Sequence, residues 1–241
     1  EAVLRAAGLE VRRQTYPTLV PRTKTCELRV EGKGETPGPV YPLGPCGGAL
    51  TTTNGETLSG PLVDLGDGSP AAMEGKPVEG GIALLDLGTR RLADVFAAGA
   101  RAVVFLRDSR ATQDQVSSHF SDLPFAPPRL YLDLDRAAAK TAGLLDEPTA
   151  SVRIATAWED AGAVNLWVES PGTAPAFEMK EEEGLILAAR LSTFGAAPEL
   201  SPDRRAAANA ALLTELLTGF ARTPPKRTIF GVFFGSHYAA E

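Results

Sequence analysis

Three consecutive blocks constrain this chain more than any other feature: GGIALLDL from Gly80 to Leu87, TRRLADVFAAGA from Thr89 to Ala100, and RAVVFLRD from Arg101 to Asp108. The outer two are continuous apolar runs of the kind buried on both faces of a parallel sheet. The middle one spaces its apolar residues as a helix does and stops near Gly99. Parallel neighbours cannot be joined by a tight turn, and a helical crossover between them closes in the right-handed sense. The blocks therefore predict a strand, helix, strand unit and an α/β architecture.

The alternation recurs. PPRLYLDLDRAAAKTAGLL predicts a strand at Arg129 to Leu132, then a helix from its N-cap Asp135 to Gly143. SVRIATAW reads as an edge or closing strand of period two, and AVNLWVES (Ala163 to Ser170) as a strand followed by the PGTAP turn. GLILAARL is a further strand. SPDRRAAANAALLTELLTGFA is the clearest helix, with Ser201 as N-cap and Pro202 at its first position, and RTIFGVFFG is a continuous apolar strand. At the start, Val3, Leu4, Ala7 and Val11 keep near-helical spacing until Gly8 interrupts. LEVRRQTY then alternates as a strand, and CELRVEGK forms a second with Leu28 and Val30 on one face. The stretch from Gly32 to Gly48, rich in glycine and proline, marks a boundary.

A length of 241 residues allows one large domain or two smaller ones, and two is the working number. A net charge of −6, with no basic block longer than the pairs Arg12-Arg13, Arg90-Arg91 and Arg204-Arg205, leaves no electrostatic footprint for nucleic acid or an anionic membrane surface. No run reaches the roughly 18 apolar residues of a spanning helix. The nearest, Val95 to Leu106, is short and carries Arg101. Cys26 and Cys46 are the only cysteines. They are either a disulfide, worth on the order of 3 kcal/mol for such a loop, or two separate thiols. The chain begins at Glu1 and not at Met, which raises the expectation of a processed or excised piece of an exported protein.

KPVEGGIALLDLGTRRLADVFAAGARAVVFLRD, with Gly99-Ala100-Arg101-Ala102-Val103-Val104 at its centre, resembles the signature of the protease-associated domain. PPRLYLDLDRAAAKTAGLL fits the same module's closing strand and helix. The outer portions resemble the zinc aminopeptidase and glutamate carboxypeptidase clan, which also includes the catalytically silent transferrin receptor and nicastrin. VNLWVESPGT looks like that clan's entry strand and turn, LILAARLST like the strand delivering its first ligands, and RTIFGVFFGSHYAAE like the strand delivering its catalytic glutamates. The resemblance implies a partial, parallel-rich peptidase-like α/β sheet with an inserted, smaller, β-rich α/β protease-associated domain. The implied divisions are residues 1–36 and 158–241 for the peptidase-like part and 37–157 for the insertion.

At the ligand positions that the resemblance implies, the residues change chemistry. The His-x-Asp of the clan falls on Arg190 and Ser192, the bridging Asp on Arg205, and the Glu-Glu pair on His237 and Tyr238. A two-zinc site concentrates about four positive charges and works only with carboxylates and imidazoles to offset them and a base to take the water's proton. Arginine adds fixed positive charge and offers no lone pair. Asp203, Glu199 and His237 are the candidate substitute ligands. For Asp203 the alternative is an acid in a helix first turn, favoured by the dipole. The expectation is a non-catalytic metallopeptidase-like protein without a cofactor, which binds a protein or peptide and can form homo-oligomers. The alternative is an active zinc aminopeptidase using displaced ligands or residues outside this segment. A second alternative is a protease-associated interaction module with flanking pieces. No Gly-x-Ser-x-Gly elbow, phosphate loop or dinucleotide loop is present.

Overall fold

The computed structural model describes residues 1–33, 38–44, 48–108, 127–174, 184–191 and 204–235. The fold is mixed α/β. The chain divides into two compact units: an outer one of Glu1–Val20, Asp160–Phe194 and Pro202–Glu241, and an inner one of Pro21–Glu159 with Gly195–Ser201. Helix α1 (Ala2–Ala6) opens the outer unit, and β1 (Val11–Val30) leads from it into the inner one.

The inner unit continues with β2 (Val40–Pro42), β3 (Leu58–Gly66), α2 (Pro70–Met73), β4 (Ile82–Asp86), α3 (Leu92–Ala97), β5 (Ala102–Arg107), β6 (Arg129–Asp135) and α4 (Arg136–Thr141). It closes with the first half of β7 (Thr149–Ser170). Strands β3, β4, β5 and β6 are parallel neighbours. β2 lies antiparallel on β6, and the start of β7 lies antiparallel on β3. Successive side chains of a strand point to opposite faces, and both faces are covered. Val63, Ala83, Leu85, Val103 and Phe105 pack with Leu92 and Val95 of α3. Leu62, Ile82, Leu84, Val104 and Leu130 pack with Ala139 of α4 and with Leu28, Val152 and Ile154. That double burial is why these strands read as unbroken apolar runs.

Three local choices shape the inner unit. Asp135 accepts a hydrogen bond from Ala138 N at 2.8 Å and so starts α4 where the sequence places it. Gly99 sits at φ +95, a conformation that ends α3 and that side-chain-bearing residues avoid. Arg129 is fully buried, and its Nη2 donates to Gly44 O at 2.7 Å and to Thr51 Oγ1 at 3.3 Å. A buried guanidinium thereby ties the start of β6 to the chain that follows β2.

In the outer unit the later part of β7, Leu166 to Ser170, pairs antiparallel with β9 (Ile229–Phe234). β9 pairs parallel with β8 (Leu185–Arg190), and α5 (Arg204–Arg222) makes the crossover between them. β1 pairs with β7 on its other side. Leu4, Val11, Val168, Leu213, Leu217 and Phe233 form the core under α1 and α5. Gly231 lets α5 come close: a Cβ there would collide with the Leu217 side chain, which is fully buried and has no room to withdraw. Gly231→Ala is expected to destabilise the protein by about 1–3 kcal/mol through overpacking. Urea unfolding of the variant checks this; an unchanged midpoint would refute the tight α5 packing.

Candidate functional site

The parallel pairing of β8 with β9 sets Arg190 opposite Phe234, and Leu191 N donates to Phe234 O at 2.7 Å just beyond the pair. A crossover helix must begin at the edge where its first strand ends, so the first turn of α5, containing Arg205, belongs to this same C-terminal edge. Such edges are where open α/β sheets bind ligands. The topology thus brings three of the sequence-derived segments to one edge: the end of β8 with half-buried Arg190, the head of α5 with Arg205, and the exit of β9 at Gly235. Ser192, Glu199, Asp203, His237 and Tyr238 lie outside the described residues, as does Cys46. Cys26 packs half-buried against the Leu28 and Val30 side of the inner core.

Sequence reading missed Asn165 at this edge. Its Oδ1 accepts from Gly235 N at 3.0 Å, and its Nδ2 donates to Gln14 Oε1 at 3.2 Å. One amide therefore links β1, β7 and the exit of β9. A Cβ at Gly235 would run into the carbonyl of Val164, so glycine is what permits this close passage. The available signal was a lone asparagine inside the otherwise apolar AVNLWV, Ala163 to Val168.

Among the described residues no three His, Cys, Asp or Glu side chains gather as a metal site would require. Arg190 brings N–H donors and fixed charge to the edge where the resemblance implies ligands, while the Arg205 side chain lies outside the described residues. Arg190 does not fit zinc, which takes thiolate, imidazole or carboxylate.

The inner unit carries its charges at the C-terminal ends of its parallel strands. Arg136 Nη1 reaches both carboxylate oxygens of Asp64, at 2.7 and 2.8 Å, and its Nε donates to Asp86 Oδ1 at 2.9 Å. Arg136 Nη2 also lies 2.8 Å from Asp86 Oδ1 but is not aligned to donate to it. Arg107 donates to Asp133 at 3.1 Å and pairs with Asp135 at 3.5 Å. Tyr131 donates its hydroxyl to Asp133 at 3.1 Å, and burial holds the phenol pKa well above its ordinary value. These cations and carboxylates pair with one another, although the buried Arg136 Nη2 makes no hydrogen bond. A cavity of about 370 Å³ in the outer unit is lined by residues of β1, β7 and β9, among them Arg12, Trp167, Glu169 and Phe230.

Two predictions follow from these contacts. Asn165→Ala should cost about 1 kcal/mol of stability, in line with a single net hydrogen bond. It should also speed amide exchange at Gly235, and unchanged exchange would show that Asn165 does not anchor β9. The second concerns Asp135, whose carboxyl is held below its ordinary value of 3.8 first by the Ala138 N–H and then by Arg107. A carboxyl depressed in the folded state stabilises above its unfolded pKa, and that contribution is lost as pH falls through the folded value. The Tm gap between wild type and Asp135→Ala should accordingly be present at neutral pH and shrink below about pH 4; a constant gap contradicts the capping role.

No family model matches the sequence, and no curated protein matches it. Solved structures do. The aminopeptidase from Aneurinibacillus sp. strain AM-1 aligns over 98% of this chain and 55% of its own, with a TM-score of 0.57 and 18% identity. A zinc aminopeptidase from Bacillus subtilis aligns over 98% and 53%, with a TM-score of 0.62 and 15% identity. A peptidase M28 precursor from Shewanella amazonensis SB2B aligns over 96% and 56%, with a TM-score of 0.62 and 18% identity. The likeness is one of fold, and this chain spans a little over half the length of these structures.

Proposed function

We propose that this chain is a non-catalytic protein of metallopeptidase-like fold, whose inner unit is a protease-associated domain and whose role is to bind a protein or peptide. The observation that carries the reading is Arg190 at the C-terminal end of β8, opposite Phe234 of β9, where the resemblance implies a metal ligand. A permanent cation at the end of β8 supplies no lone pair to a metal and opposes the binding of a dication pair, since like charges in a partly desolvated site repel strongly. The solved neighbours support the fold part of this reading, because two of them are described as aminopeptidases and a third as a peptidase. Those same descriptions favour one rival, a zinc aminopeptidase that recruits Asp203, Glu199 or His237 as displaced ligands.

Elemental mass spectrometry of the full natural polypeptide, purified without chelator and then incubated with excess zinc, separates the two. The expected outcome is far less than one zinc per chain, with no release of N-terminal residues from short peptides. Two zinc ions per chain, lost together with peptide cleavage on substitution of Asp203 or His237, would overturn the proposal.

A further inference from the structure

Asn54 is the only one of the three asparagines in this chain that precedes a glycine. That pairing matters chemically, because a backbone nitrogen can attack the side-chain carbonyl of the asparagine before it, and glycine puts no side chain in the way. Among the described residues nothing bonds the side-chain amide of Asn54 or the N–H of Gly55, and a Cβ at Gly55 would meet nothing within 4 Å. Asn165 differs: leucine follows it, and both ends of its amide are hydrogen-bonded.

The fold around Asn54 holds the two reacting groups apart. Asn54 and Gly55 sit at φ +53 and +84, and Glu56 N donates to Thr53 O at 3.0 Å. Two positive φ values closed by that bond are the mark of a type I′ turn, which asparagine and glycine favour. In such a turn the Gly55 nitrogen lies nearly opposite the Asn54 side chain about the Cα–C bond, so attack requires the turn to open. Two threonines oppose opening. Thr53 is buried, and its hydroxyl donates to Glu56 O at 2.6 Å and accepts from Ile154 N at 3.2 Å. Its own N–H donates to Ile154 O at 2.9 Å. Thr52 Oγ1 accepts from Asn54 N at 3.0 Å. The turn is thereby fastened to β7.

We propose that Asn54 is a site of self-modification, a spontaneous deamidation whose rate is set by the threonine clamp on its turn. When the turn opens, Gly55 N bonds to Asn54 Cγ, the Cγ–Nδ2 bond breaks, and ammonia leaves with the proton that Gly55 N gives up through solvent. The product is a five-membered imide. Water, the co-reactant, then adds to either imide carbonyl and breaks its bond to Gly55 N, leaving aspartate or isoaspartate at position 54. Both carry a negative charge that the amide lacked. Isoaspartate also adds one carbon to the main chain, so Thr53 and Glu56 lose the spacing that the turn bond needs. The reaction thus fixes the turn in its opened form.

Incubation of the 241-residue protein in mildly alkaline buffer, beside the same chain unfolded in guanidinium chloride, tests this. Peptide mapping by mass spectrometry reads aspartate and isoaspartate at position 54 against time. Conversion is expected in both samples, roughly tenfold slower in the folded protein, the factor that a net hydrogen bond on the turn supplies. Asn54→Gln, which must close a six-membered ring, should suppress it. Thr53→Val should remove most of the gap between folded and unfolded rates. Thr52→Ala, at a half-buried position, should remove part of it and gives the same readout should Thr53→Val fail to fold. Gly231→Ala, in the core of the outer unit, should leave the rate unchanged, which separates opening of the turn from unfolding of the chain. An amide retained in the folded protein over many unfolded-state half-lives would overturn the proposal. So would a folded rate equal to the unfolded one, rates that neither threonine variant changes, or an equal acceleration by Gly231→Ala.

Discussion

The parallel pairing of β8 with β9 governs the rest of the outer unit. Two parallel neighbours require a crossover, and the crossover here is α5. Once that helix exists, its first turn and the two strand ends share an edge, whatever side chains stand there. The geometry of the candidate site is therefore a by-product of chain direction. Its chemistry is a separate matter, set by side chains such as Arg190 and not by the strand order. Gly231 is the condition on which the crossover packs, because any side chain there would displace Leu217 from the core.

The same separation holds in the inner unit. Four parallel strands with apolar residues on both faces would pack with any polar decoration at their ends. Arg136 gives the ends a definite arrangement, since one guanidinium holds the carboxylates of β3 and β4 from the first turn of the helix that follows β6. Arg129 does similar work at the other end of β6 from within the core. Both are cations whose planar donor geometry reaches several acceptors at once, which lysine could not reproduce.

Much of this fold was legible because burial writes a period into the sequence. GGIALLDL and RAVVFLRD are doubly buried strands and read as such, RTIFGVFFG is a strand with Phe230 and Phe234 only half-buried on one face, and Asp135 announces α4 through its capping position. The strand over Leu58–Gly66 was not read, since Gly60 and Pro61 break its alternation, and Pro61 is tolerated next to its pairing with Thr149 at the very start of β7. β1 and β7 each read as two strands, because Pro17 and Pro21 in one and the polar Glu159-Asp160 with Gly162 in the other look like interruptions. Long-range pairing keeps both extended, and local sequence carries no record of it. Asn165 was passed over for a related reason: its partners Gln14 and Gly235 are 151 and 70 residues away. The edge at which β8 ends was visible through the order of strand, helix and strand, while Arg190 and Arg205 were singled out only by the family resemblance.

A scaffold that loses its metal ligands persists only if its stability never rested on them. The outer unit meets that condition. Its core under α1 and α5 consists of Leu4, Val11, Val168, Leu213, Leu217 and Phe233, and none of these is a position implied for a ligand. The exit of β9 is fastened by a neutral amide, Asn165, and the end of β8 by the Leu191 to Phe234 backbone bond. In a structural zinc site, metal binding is itself folding free energy. Here the described strand ends are held by hydrogen bonds between protein groups. A change of side chain at such a strand end would then alter the chemistry of the edge and leave the fold standing.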